Sequence, residues 1–172
     1  VKLSACVAFS NRVNLIEYYH NSSFLEHGGA PDKAAKIAFV AEVDAYLKNN
    51  GKYNKGESKI TFADIADCLV FVSNCFSTIT SYENQTKKSI TNKFIYEAMV
   101  DFLRQSLEVY FIENKAEADK IADQVLINKR SRERSEKERI NIKKTLQSSN
   151  SMLDRVDKFV DCRSKDTAVR EL

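Results

Sequence analysis

The chain has 172 residues, 43% hydrophobic and 30% charged, with a net charge of +3, which suits one compact domain with an extension. No apolar run reaches the roughly 18 residues of a membrane-spanning helix, so no membrane partner is expected, and the first residues have no signal-peptide layout. Four Gly and one Pro leave few breakers, which favours long regular elements, mostly helices.

Residues 3–10 are apolar and small and predict a strand. Asn11-Arg12-Val13-Asn14 is turn-like, and residues 15–22 are expected to return beside the first strand as its hairpin partner. Gly28-Gly29-Ala30-Pro31-Asp32 predicts a loop feeding a helix with Pro in its first turn. That helix is expected over 31–50, with Ala34, Ile37, Ala38, Ala41 and Tyr46 or Leu47 as its apolar stripe and Gly51 as its stop. After a polar loop over 52–59, Thr61 with Asp64 three residues on resembles a capping box, Asp standing in for Glu.

Residues 68–76 hold too many apolar side chains for a half-exposed strand and predict a central strand covered on both faces. Residues 77–89 are polar and aperiodic, a loop long enough to carry function. Over 92–112, Phe94, Ile95, Ala98, Met99, Phe102, Leu103, Leu107, Tyr110 and Phe111 recur at helical spacing and read as core, not as a cofactor box.

Asn114, with an acid at Glu117, predicts the start of a second long helix. Ala118, Ile121, Ala122, Val125 and Leu126 continue its buried stripe, which vanishes after Asn128. Between Lys129 and Lys144 eight basic and three acidic residues leave +5, read as a solvated half supported by pairs such as Arg132 with Glu136 and Glu133 with Lys137. At about 1.5 Å per residue the helix would be about 50 Å long, enough to join two domains. Cys6, Cys68 and Cys75 lie in apolar runs and Cys162 in a polar stretch. With no CxxC spacing and neither His placed to complete a zinc site, they read as buried free thiols of a reducing cytoplasm. Both ends of the chain look cut.

Several stretches resemble one family in order. Tyr82-Glu83-Asn84-Gln85-Thr86-Lys87, following a buried strand, resembles the Gln-Thr-Lys loop of type IIA DNA topoisomerases. Gly28-Gly29 opening a helix resembles the Glu-Gly-Gly-Thr-His segment of the DNA gyrase B family, with Ala30-Pro31 in place of Thr-His. Phe111-Ile112-Glu113-Asn114, with the residues up to Ile121, resembles the start of that family's long exit helix. Asp161-Cys162-Arg163-Ser164-Lys165-Asp166 resembles its approach to the magnesium-binding TOPRIM domain. The chain is thus similar, over nearly all its length, to the transducer region of the ATP-driven component of bacterial type IIA DNA topoisomerases, that is, DNA gyrase B and its topoisomerase IV counterpart.

The resemblance implies an α+β fold: a small sheet with a left-handed βαβ crossover, like the second domain of ribosomal protein S5, packed on helices and followed by a long exit helix. It implies a transducer core over 1–113, the exit helix over 114–147 and a linker over 148–172 towards a TOPRIM domain. Lys87 would be the catalytic residue and, with Gln85, would contact the terminal phosphate of ATP held mainly by a preceding ATPase domain, the Mg2+ ligands also lying outside this chain. Lys36 is the candidate DNA contact, a sequence-independent one to phosphate. Arg130, Arg132 and Arg134 stand behind it because Glu133, Glu136 and Glu138 interleave with them. The partners implied are double-stranded DNA, the two flanking domains and a gyrase A-like cleavage protein, in the cytoplasm. With no Gly-rich phosphate loop and no evident hydrolytic base, the chain alone is expected to be inactive. The competing reading is a non-enzymatic adaptor whose basic helix binds nucleic acid or a partner helix.

Overall fold

The structure is a computed structural model and describes residues 1–83 and 85–153, with side chains as far as 147. In chain order the elements are β1 (Lys2–Phe9), β2 (Leu15–His20), β3 (Ser23–Phe24), β4 (Gly28–Gly29), α1 (Ala30–Asn49), α2 (Phe62–Ala66), β5 (Leu69–Phe76), β6 (Ser89–Ile90), α3 (Lys93–Glu113) and α4 (Lys115–Leu153). The fold is α+β, with a mixed four-stranded sheet ordered β1-β5-β2-β3 and a two-stranded sheet of β4 and β6. Contacts divide the chain into a unit Val1–Arg132 and a unit Glu133–Leu172. Among the described residues no helix is long and apolar enough to cross a membrane.

β5 is an inner strand, antiparallel to β1 and parallel to β2, which is itself flanked by β3. The expected β1–β2 hairpin is therefore wrong: β5 lies between them. The physical reason is that a parallel pair needs a crossover, and α1 supplies one that also covers the face of the β2–β5 pair. A β1–β2 hairpin would have left the most apolar strand at an edge. β5 is central, as expected, yet covered unequally. Leu69, Phe71, Ser73 and Cys75 are buried, while Val70, Val72 and Asn74 are half-buried. β1 is an edge strand whose side chains from Ser4 to Ala8 are exposed. Cys6 is consequently an exposed thiol, against expectation, whereas Cys68 and Cys75 are buried as expected; Cys162 lies outside the described residues.

α1 packs through Ala30, Ala34, Ala35, Ala38, Phe39, Val43 and Leu47. Its small residues let the helix approach closely, and Phe39 meets Phe71 edge-to-face with ring centroids 5.2 Å apart. Ile37, placed on the stripe by sequence, is exposed. α2 begins with the expected box: the Thr61 amide donates to Asp64 Oδ2 at 2.7 Å. On α3 every fourth residue is buried, namely Ile95, Met99, Leu103, Leu107 and Phe111. Each such side chain contributes about 1.5–3 kcal/mol on burial. Phe94 and Phe102 sit at the rim of that face, which is narrower than the sequence suggests.

The start of α4 is anchored by the predicted stripe: Ala118, Ile121, Ala122, Val125 and Leu126 are buried. The solvated half does not begin at Lys129. That lysine is 0% exposed, pairs with Glu57 at 3.0 Å and lies 5.5 Å from the centre of the Tyr53 ring. Arg130 grips the same carboxylate with two hydrogen bonds of 3.0 Å. Arg132 grips the buried Asp64 at 2.6 and 3.1 Å, and Asn128 donates to the Asp64 carbonyl at 3.0 Å. Lys52 joins Asp119 and Asp123 at 3.0 and 2.8 Å. The loop over 51–59 and α2 thus hold α4 from Asp119 to Arg132 by charge as well as packing. These acids lie far away in sequence, 72 positions in the case of Glu57 and Lys129, so local spacing pointed instead to i,i+4 partners. Exposed pairs in the second unit include Arg134 with Glu138 at 3.1 Å and Arg139 with Glu136 at 3.7 Å.

A buried ion pair is costly to halve, because the remaining charge keeps its desolvation penalty. Glu57→Ala, which takes the carboxylate away from the buried Lys129 ammonium, should cost about 3–5 kcal/mol in urea unfolding, and adding Lys129→Met should recover most of it. Hydrogen bonding from Arg130, helped by the Asn54 amide and Lys129, holds the Glu57 carboxyl down at about 2, below its ordinary 4.5. The stability it supplies is therefore complete above about pH 4.5 and is lost as pH falls towards 2. Acid unfolding of Glu57→Gln should show a correspondingly shallower slope over that interval.

Candidate functional site

The site is built on a close approach of two backbones. Gly28 and Gly29 have φ of +63° and +82°, and as β4 they pair in parallel with Ser89 and Ile90 of β6. A side chain at Gly29 would place its Cβ 2.3 Å from the Ile90 carbonyl oxygen and 2.7 Å from the Ile90 nitrogen. Only glycine fits there. Gly29 is also the N-cap of α1, so the pairing ties the start of that helix to the end of the loop over 77–88. Pro31 in the first turn and Asp32 beside the positive end of the helix complete the local signal.

The same loop is pinned along its length. At its start, Asn21 Nδ2 donates to the Ser77 carbonyl at 3.0 Å while the Ser77 amide donates back to Asn21 Oδ1 at 3.1 Å. Further on, the Ser81 amide donates to Asn92 Oδ1 at 2.8 Å, and Tyr82 bridges Ile90. The Glu83 amide donates to the Ser89 carbonyl at 3.0 Å, and the His27 amide to the Lys88 carbonyl at 3.0 Å. Lys88 pairs with Glu26. Between these fixed points Gln85, Thr86 and Lys87 are exposed.

Lys87 adopts a left-handed φ of 57°, which costs a non-glycine residue roughly 1–2 kcal/mol. Its ammonium lies 5.8 Å from the centre of the Tyr82 ring and has no carboxylate partner among the described residues. A ready cation is therefore presented at a firmly held loop. Beside the loop a cavity of about 510 Å³ opens between the starts of α1 and α3, with Asp32, Lys33, Glu83 and Lys93 among its lining residues; neither Gln85 nor Lys87 lines it. Lys36 stands apart. It is held by Asp32 at 2.7 Å, with about half of its side chain exposed, and lies 5.8 Å from the centre of the Phe62 ring. No hydrogen bond, ion pair or ring contact joins it to Gln85 or Lys87 among the described residues. No group of three His, Cys, Asp or Glu suited to a metal ion occurs among those residues.

Sequence reasoning missed His20. It ends β2, is 0% exposed, and sets its Nδ1 3.2 Å from the Cys75 sulfur. Its ring meets Tyr82 edge-on, with centroids 5.9 Å apart and planes at 76°. Burial lowers the imidazole pKa, only partly offset by hydrogen bonding at Cys75, and pushes the Cys75 thiol up to about 11. Both groups are therefore neutral near pH 7. No local pattern around His20 signals this, because its partners come from β5 and the loop. Tyr18, two residues earlier, has a buried hydroxyl without a hydrogen bond among the described residues. Burial first, and the Asp32 carboxylate second, drive its pKa upward.

The family model described as DNA gyrase B matches residues 1–141. The chain belongs to the DNA gyrase B family. It is 27% identical to the DNA gyrase B protein of Spiroplasma citri over 162 residues, covering 92% of this chain and 25% of that protein. To its counterpart in Metamycoplasma hominis it is 28% identical over 165 residues, covering 96% and 25%. It therefore spans about a quarter of the length of these curated relatives. Among solved structures, the 43K ATPase domain of Thermus thermophilus gyrase B in complex with an aminocoumarin is similar in fold, with a TM-score of 0.71 at 20% identity over 80% of this chain and 37% of that one. The topoisomerase IV ATP-binding domain of Francisella tularensis gives a TM-score of 0.68 at 21% identity, covering 76% and 36%.

For this gyrase B family member, the Gly-Gly pairing makes a sharp comparison. Gly29→Ala combines a forbidden φ with a backbone clash and should cost about 2–3 kcal/mol or more in denaturant unfolding. Gly51→Ala, at a φ of +61° with open space around it, should cost only about 1 kcal/mol.

Proposed function

We propose that this chain is the transducer of an ATP-dependent type IIA DNA topoisomerase, acting within a longer gyrase B-like protein of the cytoplasm. The observation that carries the reading is Lys87, an exposed ammonium held in a left-handed conformation on a loop fastened at its start, middle and end. A strained residue that the surroundings over-determine points to function. Lys87, with Gln85, would reach outward to the terminal phosphate of ATP bound by a preceding ATPase domain. Bound there with its Mg2+, the nucleotide supplies the phosphoryl group and the metal charge; the Mg2+ ligands would belong to that domain.

The role of this chain's residues is to place positive charge where the phosphate needs it and to register its presence. A loop so pinned transmits the loss of that contact to β6, and through the Gly29–Ile90 pairing to α1. α4 would carry the response towards a TOPRIM domain and a gyrase A-like cleavage protein, while Lys36 contacts the phosphates of a DNA duplex. The adaptor reading has less support, since Lys129, Arg130 and Arg132 engage Glu57 and Asp64.

Two measurements test this on the full-length protein. Lys87→Ala should lower ATP turnover by about 10²–10³-fold with nucleotide still bound, whereas Lys88→Ala, at the residue paired with Glu26, should change it no more than a few-fold. Equal, normal turnover in both would return the loop to a solvated connection. Lys36→Ala should weaken duplex binding equally for unrelated sequences and reduce the slope of log affinity against log salt by about one. An unchanged slope would remove Lys36 from the DNA contact.

A further inference from the structure

Beneath the loop lies an arrangement that its chemistry does not by itself require. His20 is fully buried, and its Nε2 has no hydrogen-bond partner among the described residues. Burying a polar nitrogen without a partner costs about 1–3 kcal/mol, which an aliphatic side chain would avoid. What the imidazole provides is a rigid aromatic ring, fixed on one side and presented to the loop on the other. Pairing with Cys75 in the β2–β5 register fixes its backbone, and the Cys75 thiol, itself bonded to the Tyr19 carbonyl at 3.4 Å, fixes Nδ1.

The ring then contacts Tyr82 at a centroid distance of 5.9 Å. Tyr82 in turn carries the Lys87 ammonium 5.8 Å from its centre, within the roughly 6 Å reach of a cation–π contact. The next residue in the chain, Asn21, fastens the loop start at Ser77. The end of β2 therefore supports both the entrance of the loop and the aromatic seat of its lysine.

We propose that His20 is a positioning residue for ATP turnover: it holds Tyr82, and through it sets where the Lys87 ammonium rests. This rests on the reading of Lys87 given above. His20 touches no substrate; its effect passes through two rings to one cation. An error of about 1 Å in such a group can cost up to about a hundredfold in rate.

The experiment is a double-mutant cycle on the full-length protein, reading kcat and KM for ATP, the affinity for a non-hydrolysable ATP analogue, and thermal unfolding. His20→Ala should lower kcat about tenfold or more with KM and analogue affinity within about twofold. His20→Phe, which keeps a ring at the site, should restore most of that loss. In a Lys87→Ala background His20→Ala should add less than about twofold, because the cation it positions is gone. Tyr82→Leu should reproduce the kcat loss, and it carries the test if His20→Ala does not fold.

Equal losses from His20→Ala with and without Lys87 would overturn the proposal. So would a His20→Phe variant as impaired as His20→Ala, or a normal kcat in Tyr82→Leu. In those cases a crippled Lys87→Ala would leave the function of the loop standing. A fully active Lys87→Ala would instead remove that function, and the role of His20 with it.

Discussion

The backbone contact between Gly29 and Ile90 is the constraint on which the rest of the site depends. It fixes, at one point, the first turn of α1, the end of the loop over 77–88 and the approach to α3. None of these could keep its place if the two chains stood a methyl group further apart. The large helical surfaces then follow by ordinary packing. α1 brings alanines and Phe39 onto the sheet, and α3 brings a residue of every fourth position onto the same core. The glycine pair supplies registry, and burial supplies most of the stability.

Around that point the molecule separates what must be rigid from what must be available. The loop is tied down by main-chain hydrogen bonds and by the amide side chains of Asn21 and Asn92. Between the later ties Gln85, Thr86 and Lys87 face solvent. Neutral aromatic and thiol groups support it from below, so no buried charge competes with the exposed ammonium. Where α4 meets the loop over 51–59 and α2 the cations are handled differently: Lys129 and Arg130 share the Glu57 carboxylate, and Arg132 takes Asp64.

Much of this was legible in the sequence, and the illegible part has a common cause. The ends of α1 and α3, the Thr61–Asp64 box and the stripe from Ala118 to Leu126 rest on signals within one or two turns and agree with the structure, whereas α4 runs on to Leu153, past the expected end at 147. The reading of Gln85, Thr86 and Lys87 as a Gln-Thr-Lys loop rests only on a resemblance to a known family. What escaped was non-local. β5 inserts between β1 and β2 because it offers two good edges, which alternation alone does not reveal. Lys129 looks like a solvated lysine until Glu57, remote in sequence, arrives beside it. His20 has no neighbours in sequence that betray its burial, and Cys6 looks apolar only because an edge strand tolerates such residues.

The fixing of α4 by internal carboxylates also sets how the molecule responds to ionic strength. Exposed charges lose their reach as the screening length shrinks from about 10 Å at 0.1 M salt to about 3 Å at 1 M. The Glu57–Lys129 pair lies out of reach of that ion atmosphere. Salt strong enough to weaken exposed pairs such as Arg134 with Glu138 would therefore leave the base of α4 seated.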